Sequence, residues 1–251
     1  MRRGRFGSDT VRAVELAQVV GSLTALQRFP IEPLAGESPN VAPVRVPGLL
    51  GDRIWELRDA DTGERIGPTA APLLLFYGAR YLDDLVSEDL DAWMRVRDPA
   101  GAECPVADPR WLRELERVMG RSLVRAPRPP DPSGSPLRLV SRPSLRLAER
   151  TYGAPLEPIR VRANLVVELP EGKAFDEDGW VGRQMRIGDT LFAVTGPAAD
   201  CFVGGFRPEI GRGDLDMLRG LLQIRGGRFG VEVRIVHGFR VRVGDPVVLS
   251  D

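Results

Sequence analysis

Histidine and cysteine are nearly missing from this chain of 251 residues, which has one histidine, His237, and two cysteines, Cys104 and Cys201. A closed zinc site of Cys and His takes four ligands, and the usual iron–sulfur cluster takes four thiolates, so these side chains build neither. Any redox role therefore needs an external electron donor. Lysine is just as scarce: Lys173 stands alone, and the rest of the 35 basic residues are arginine. A GC-rich coding sequence explains that usage, although arginine also suits bidentate anion binding. The 35 acidic residues balance the charge, which disfavours a nucleic-acid partner. No segment approaches the roughly 20 apolar residues of a membrane span. Arg12 and Glu15 interrupt the stretch after the basic start Met1-Arg2-Arg3-Gly4-Arg5, unlike a secretory signal. The expectation is a soluble, cytoplasmic protein with one large or two small domains.

Proline and glycine, by contrast, are plentiful. They separate short apolar runs at Val19 to Leu23, Val41 to Val46 and Ile54 to Leu57, the pattern of an antiparallel sheet or barrel. One helix is clear: Asp108 caps it, Pro109 fits its first turn, Trp111, Leu112, Leu115, Val118 and Met119 form its apolar stripe, and Gly120 closes it. Leu82 to Trp93 reads as a short helix or a loop. Residues 125–136 are rich in Pro, Ser and Gly and form a connection. Beyond it, Ser144 to Thr151 is a second helix with Ser141 or Ser144 as cap, and Val161 to Leu169 a buried strand. Val231 to Val236 and Arg240 to Val243 alternate at period two, with His237 at the tip of a hairpin. Gly244-Asp245 turns the chain into a closing strand.

Within the last ninety residues a fixed order of motifs frames one cysteine. Arg162-Ala-Asn164 is followed by Phe175-Asp-Glu177-Asp178-Gly-Trp180, Gly188-Asp189, Cys201, Phe229-Gly230 and Gly244-Asp245-Pro. That order resembles the MOSC domain, named for the C-terminal part of molybdenum cofactor sulfurases. The half before it resembles the β-barrel domain that precedes MOSC in proteins similar to the mitochondrial amidoxime-reducing component and its bacterial relatives. Gly48-Leu-Leu-Gly51-Asp52-Arg53 with Trp55, and Phe29-Pro30-Ile-Glu32, carry that part of the likeness. The implied architecture is a β-rich α+β fold: a leader over residues 1–13, a barrel-like domain over 14–130, and a MOSC β-barrel with a few short helices over 131–251.

The resemblance also implies a chemistry. The matching cysteine is a molybdenum thiolate ligand, here Cys201, a soft donor suited to that metal. Arg53, Arg142, Arg162, Asn164 and Arg207 fall to binding the molybdenum cofactor (molybdopterin), a guanidinium fork being well matched to phosphate. The implied activity is an oxidoreductase that takes electrons from a separate reductase and reduces an N-hydroxylated or N-oxygenated small molecule. Glu177-Asp178 before Trp180 reads as a structural turn with the indole packed on the sheet.

Three positions depart from that pattern. Glu32-Pro33 stands where the family carries lysine-serine, Asp200 precedes Cys201 where arginine is common, and Phe206-Arg207-Pro208-Glu209 puts an arginine where the family has an aspartate. Glu32 and Asp200 imply an alternative, a MOSC enzyme without molybdenum. In it Cys201 serves as nucleophile or sulfur carrier, and Asp200 or Glu32 as acid or base, on a small organic or sulfur-containing substrate.

Overall fold

The computed structural model describes residues 18–46, 48–68, 70–84, 89–129, 137–152, 161–198 and 225–250, together with 220 and 223. Asp200, Cys201 and Arg207, expected from the sequence to serve the site, lie outside these residues.

The amino-terminal strands are β1 (Gln18–Leu26), β2 (Ile31–Glu32), β3 (Val41–Arg45), β4 (Gly48–Leu49) and β5 (Trp55–Asp59). Then come β6 (Gly78–Tyr81), β7 (Met94–Arg97), β8 (Glu103–Pro105) and β9 (Leu123–Pro127). The remainder holds β10 (Leu137–Ser141), β11 (Leu165–Glu168), β12 (Gln184–Ile187), β13 (Thr190–Pro197), β14 (Val231–His237), β15 (Arg240–Arg242) and β16 (Pro246–Ser250). The described α-helices are α1 (Leu90–Trp93), α2 (Arg110–Met119) and α3 (Arg142–Tyr152).

Seven strands close a barrel in the order β1-β11-β10-β14-β13-β12-β16, with β16 returning to β1. Alternation along the strands fills it: Leu165 and Val167, Val231, Val233 and Ile235, and Met185 and Ile187 point into one apolar core. The pair β10 and β11 is parallel, which a tight hairpin cannot connect, and α3 lies in the crossover between them. Helix α3 packs Leu145 and Ala148 against Val140 and Val166 on the outer barrel face. That is why β11 is buried on both sides. Strand β1 is bulged where it meets both neighbours, and Gly21 permits the approach, since a Cβ there would sit 1.9 Å from the Glu168 carbonyl oxygen.

A second core gathers Ile31, Leu34, Leu57, Leu74, Met94 and Leu115 between the sheets β2-β5-β9 and β6-β7-β8 and helix α2. The fold is β-rich, as expected, and no described helix is long and apolar enough to cross a membrane.

Local expectations fare unevenly. Helix α2 begins at Arg110, with Asp108 accepting from the Arg110 N–H at 2.9 Å, and ends at Gly120 in the left-handed region, φ +66°. Within the predicted stripe Trp111 and Leu115 are buried, but Val118 is exposed, being on the flank of the helix. In the stretch 82–93, only Leu90–Trp93 is helical among the described residues. Extended structure at 161–169 is confined to β11, because Arg162 has a positive φ of 51°. His237 does not tip a hairpin. It ends β14 opposite Leu191, and Arg240–Arg242 swings away to pair with β3. Gly238 makes that departure, packed where a Cβ would meet the Thr190 hydroxyl at 2.4 Å.

Candidate oxyanion site

The Gly-Asp-Arg turn before β5 and the Arg-Ala-Asn segment before β11 meet around Phe29. Gly51 takes φ +81°, which its missing Cβ allows, and Arg53 follows at φ +48°. Arg53 and Arg162 are thus both non-glycine residues in the left-handed region, a strain of about 1–2 kcal/mol each that surrounding contacts must hold. For Arg53 those contacts are plain: its N–H donates to the Phe29 carbonyl at 2.7 Å, and Asp52 Oδ1 accepts from the Phe29 N–H at 2.7 Å. Its guanidinium pairs with Asp52 and donates from Nη1 to Asn164 Oδ1 and from Nη2 to the Arg162 carbonyl, both at 3.1 Å.

Asn164 is fully buried and pins these pieces together. Oδ1 accepts from Arg53 and from the Arg138 N–H at 3.2 Å, while Nδ2 donates to the Gln27 carbonyl and to Asp52 Oδ2, each at 3.1 Å. Two acceptor and two donor positions are filled, the full capacity of an amide. Asn164 is therefore a joint between β1, the Gly-Asp-Arg turn and β10, and it supports the site from below.

Arg162 supplies the cation. It is 2% exposed, and its guanidinium lies 4.0 Å from the Phe29 ring centroid, with that of Arg53 at 4.7 Å from the same ring. Nη1 donates to the Leu34 carbonyl at 2.8 Å, whereas Nη2 is buried with no hydrogen-bond partner among the described residues. Burial first, and repulsion from Arg53 second, draw its pKa down to about 9, still high enough for a cation at neutral pH. A buried guanidinium N–H without an acceptor is costly, and an anionic oxygen is the group that would relieve it.

Glu32 lies in the same field. Its Oε2 accepts from Arg128 Nη1 at 2.7 Å and pairs with Arg65 Nη2 at 2.6 Å, so a residue 96 positions away in sequence neutralises it. Burial pushes the Glu32 carboxyl up, but Arg128, Arg53, Arg162 and Arg65 together outweigh that and hold it below its usual range. The sign of the consequence is definite. A depressed carboxyl adds stability that is fully present above about pH 4.5 and lost as the pH falls through the lower folded value. Urea midpoints measured from pH 7 to pH 3 are expected to fall, and to fall less steeply in Glu32→Gln. Equal slopes in the two proteins would refute the assignment.

The structure thus brings Glu32, Arg53, Arg162 and Asn164 together. Arg142 starts α3, half-buried, where its charge acts on Glu168. Sequence reading missed Phe29 as the platform, and Arg65 and Arg128 as the partners of Glu32. Arg65 lies shortly after β5 and Arg128 directly after β9, and neither carries a local signal of that role.

Residues 128–248 match the MOSC domain family. Among solved structures the chain is similar to YiiM from Geobacillus stearothermophilus, at 19% identity and TM-score 0.36, over 46% of this chain and 54% of that one. It is also similar to the YUAD protein from Bacillus subtilis, at 12% identity and TM-score 0.43, over 93% of this chain and 94% of that one. The chain spans about half the length of YiiM. No curated protein matches it.

Proposed function

From a MOSC domain at residues 128–248, a family associated with molybdenum-cofactor-binding proteins, we propose that this protein is a molybdenum-cofactor oxidoreductase acting on N-hydroxylated or N-oxygenated small molecules. The observation that carries the proposal is the buried Arg162 guanidinium, cationic, beside Arg53, with Nη2 lacking a partner among the described residues. Such a donor set fits the phosphate of an anionic pterin. Arg162 would hold that phosphate, Arg53 and Asn164 would fix the backbone that presents Arg162, and Cys201 would supply the thiolate ligand to molybdenum.

When bound, the cofactor supplies two-electron chemistry. The overall reaction is then balanced by two electrons from a separate reductase and two protons, which convert an N–OH group to N–H and water. The protein's share is placement: Phe29 and the enclosing turn keep water from Arg162, which strengthens its attraction for an anion. Glu32, tied to two arginines, acts in this reading as a counter-ion and not as a proton carrier.

The test is elemental analysis of protein produced in a host that makes the cofactor, with Cys201→Ser prepared in parallel. Near-stoichiometric molybdenum is expected in the parent and loss of nearly all of it in the variant. A parent protein free of molybdenum and pterin overturns the proposal.

A further inference from the structure

One acidic residue sits inside the arginine cluster, and its contacts describe a specific role. Glu32 is 8% exposed. Both of its close ion pairs, to Arg128 and to Arg65, fall on one oxygen, Oε2. Arg53 and Arg162 act on the same carboxylate through the field without bonding to it. Arg65 in turn reaches Glu56 Oε2 at 3.5 Å, so it is shared between two carboxylates, whereas Arg128 pairs with Glu32 alone among the described residues.

We infer that Glu32 is a built-in counter-anion of the oxyanion site, so that an incoming phosphate group must compete with its carboxylate for Arg128 and must enter against its charge. This rests on the oxyanion reading given above and deepens it by assigning the residue that sets the affinity of the site. A phosphate has more charge and more acceptor oxygens than a carboxylate, so it can displace the internal anion where a singly charged ligand gains little. Glu32 thereby makes the site selective for multiply charged oxyanions. It also limits how tightly any of them binds, while keeping four guanidiniums from repelling one another when no ligand is present.

The experiment is calorimetric titration of the full chain with inorganic phosphate at pH 7.5, comparing the parent with Glu32→Gln and Arg128→Gln. Glutamine keeps an acceptor for Arg128 and Arg65 and removes only the charge. Phosphate is expected to bind about tenfold or more tightly to Glu32→Gln, because a nearby like charge has gone. Arg128→Gln, at a partly exposed position, is expected to bind phosphate several-fold more weakly. Circular dichroism melts establish that each variant is folded. If the parent binds phosphate and Glu32→Gln binds no better, or Arg128→Gln binds equally well, the counter-anion role is overturned and the oxyanion site stands. If neither the parent nor Glu32→Gln binds phosphate, both fall.

Discussion

Replacing Asn164 by alanine is expected to remove about 3–5 kcal/mol of stability, the range for disrupting a fully satisfied buried network. The substitution deletes four hydrogen bonds at once. It strips a partner from the Arg138 N–H, the Gln27 carbonyl, Asp52 Oδ2 and Arg53 Nη1, all of them around a side chain that is itself 0% exposed. Because domains are stable by only about 5–15 kcal/mol, much of the folded population is at stake. Asn164→Asp is expected to be no better, since the oxygen replacing Nδ2 would face Asp52 Oδ2 and the Gln27 carbonyl, two acceptors. Urea unfolding followed by circular dichroism measures both. A loss below about 1 kcal/mol in the alanine variant would mean that the joint is dispensable.

Glu177 is the second position of large effect. Its carboxylate is fully buried under the start of α3, where Oε1 accepts from the Ser141 N–H at 3.1 Å and the Ser144 hydroxyl at 2.7 Å, and Oε2 from the Ser141 hydroxyl at 2.7 Å. Ser144 Oγ also accepts from the Phe175 N–H at 2.7 Å, so the segment carrying Glu177 is stitched to the helix twice. An anion at this end meets the favourable pole of the helix dipole. Charge-assisted bonds are the strong ones, and Glu177→Ala is expected to cost about 3 kcal/mol or more, by unpairing the Ser141 N–H and loosening the crossover. Glu177→Gln keeps one acceptor and is expected to cost less than the alanine change. Thermal melts of the two variants decide it: equal and small shifts would show that the Ser141–Ser144 pair caps α3 unaided.

Much of the fold was legible because it is written in short-range patterns. Alternation in β14 and β16 and the apolar run of β11 follow from which faces are buried. The stop of α2 at Gly120 follows from a backbone conformation that glycine adopts without strain. The hairpin at His237 was misread for the same reason: two alternating runs separated by a glycine look like neighbours, yet local pattern does not state which strand each will pair with. Arg240–Arg242 found β3, about 200 residues earlier in the chain.

The candidate site divides along the same line. Sequence alone determined that the chain is β-rich, which strands alternate and where glycine turns fall; the family resemblance implied one set of Arg53, Arg142, Arg162, Asn164 and Arg207, of which the structure brings Arg53, Arg162 and Asn164 together. The sequence also offered Ser141 or Ser144 as a helix cap and Glu177 as part of a turn, each separately. Only the tertiary structure decided that Glu177 is the anion under that cap, that β1 closes the barrel between β11 and β16, and that Asn164 is a joint and Arg162 the buried cation with a donor to spare. It likewise decided that Glu32 is neutralised by Arg65 and Arg128. Those facts depend on which distant segments the closing barrel presses together and on the low dielectric inside it, where every charge and every N–H must find a partner that the chain's linear order does not reveal.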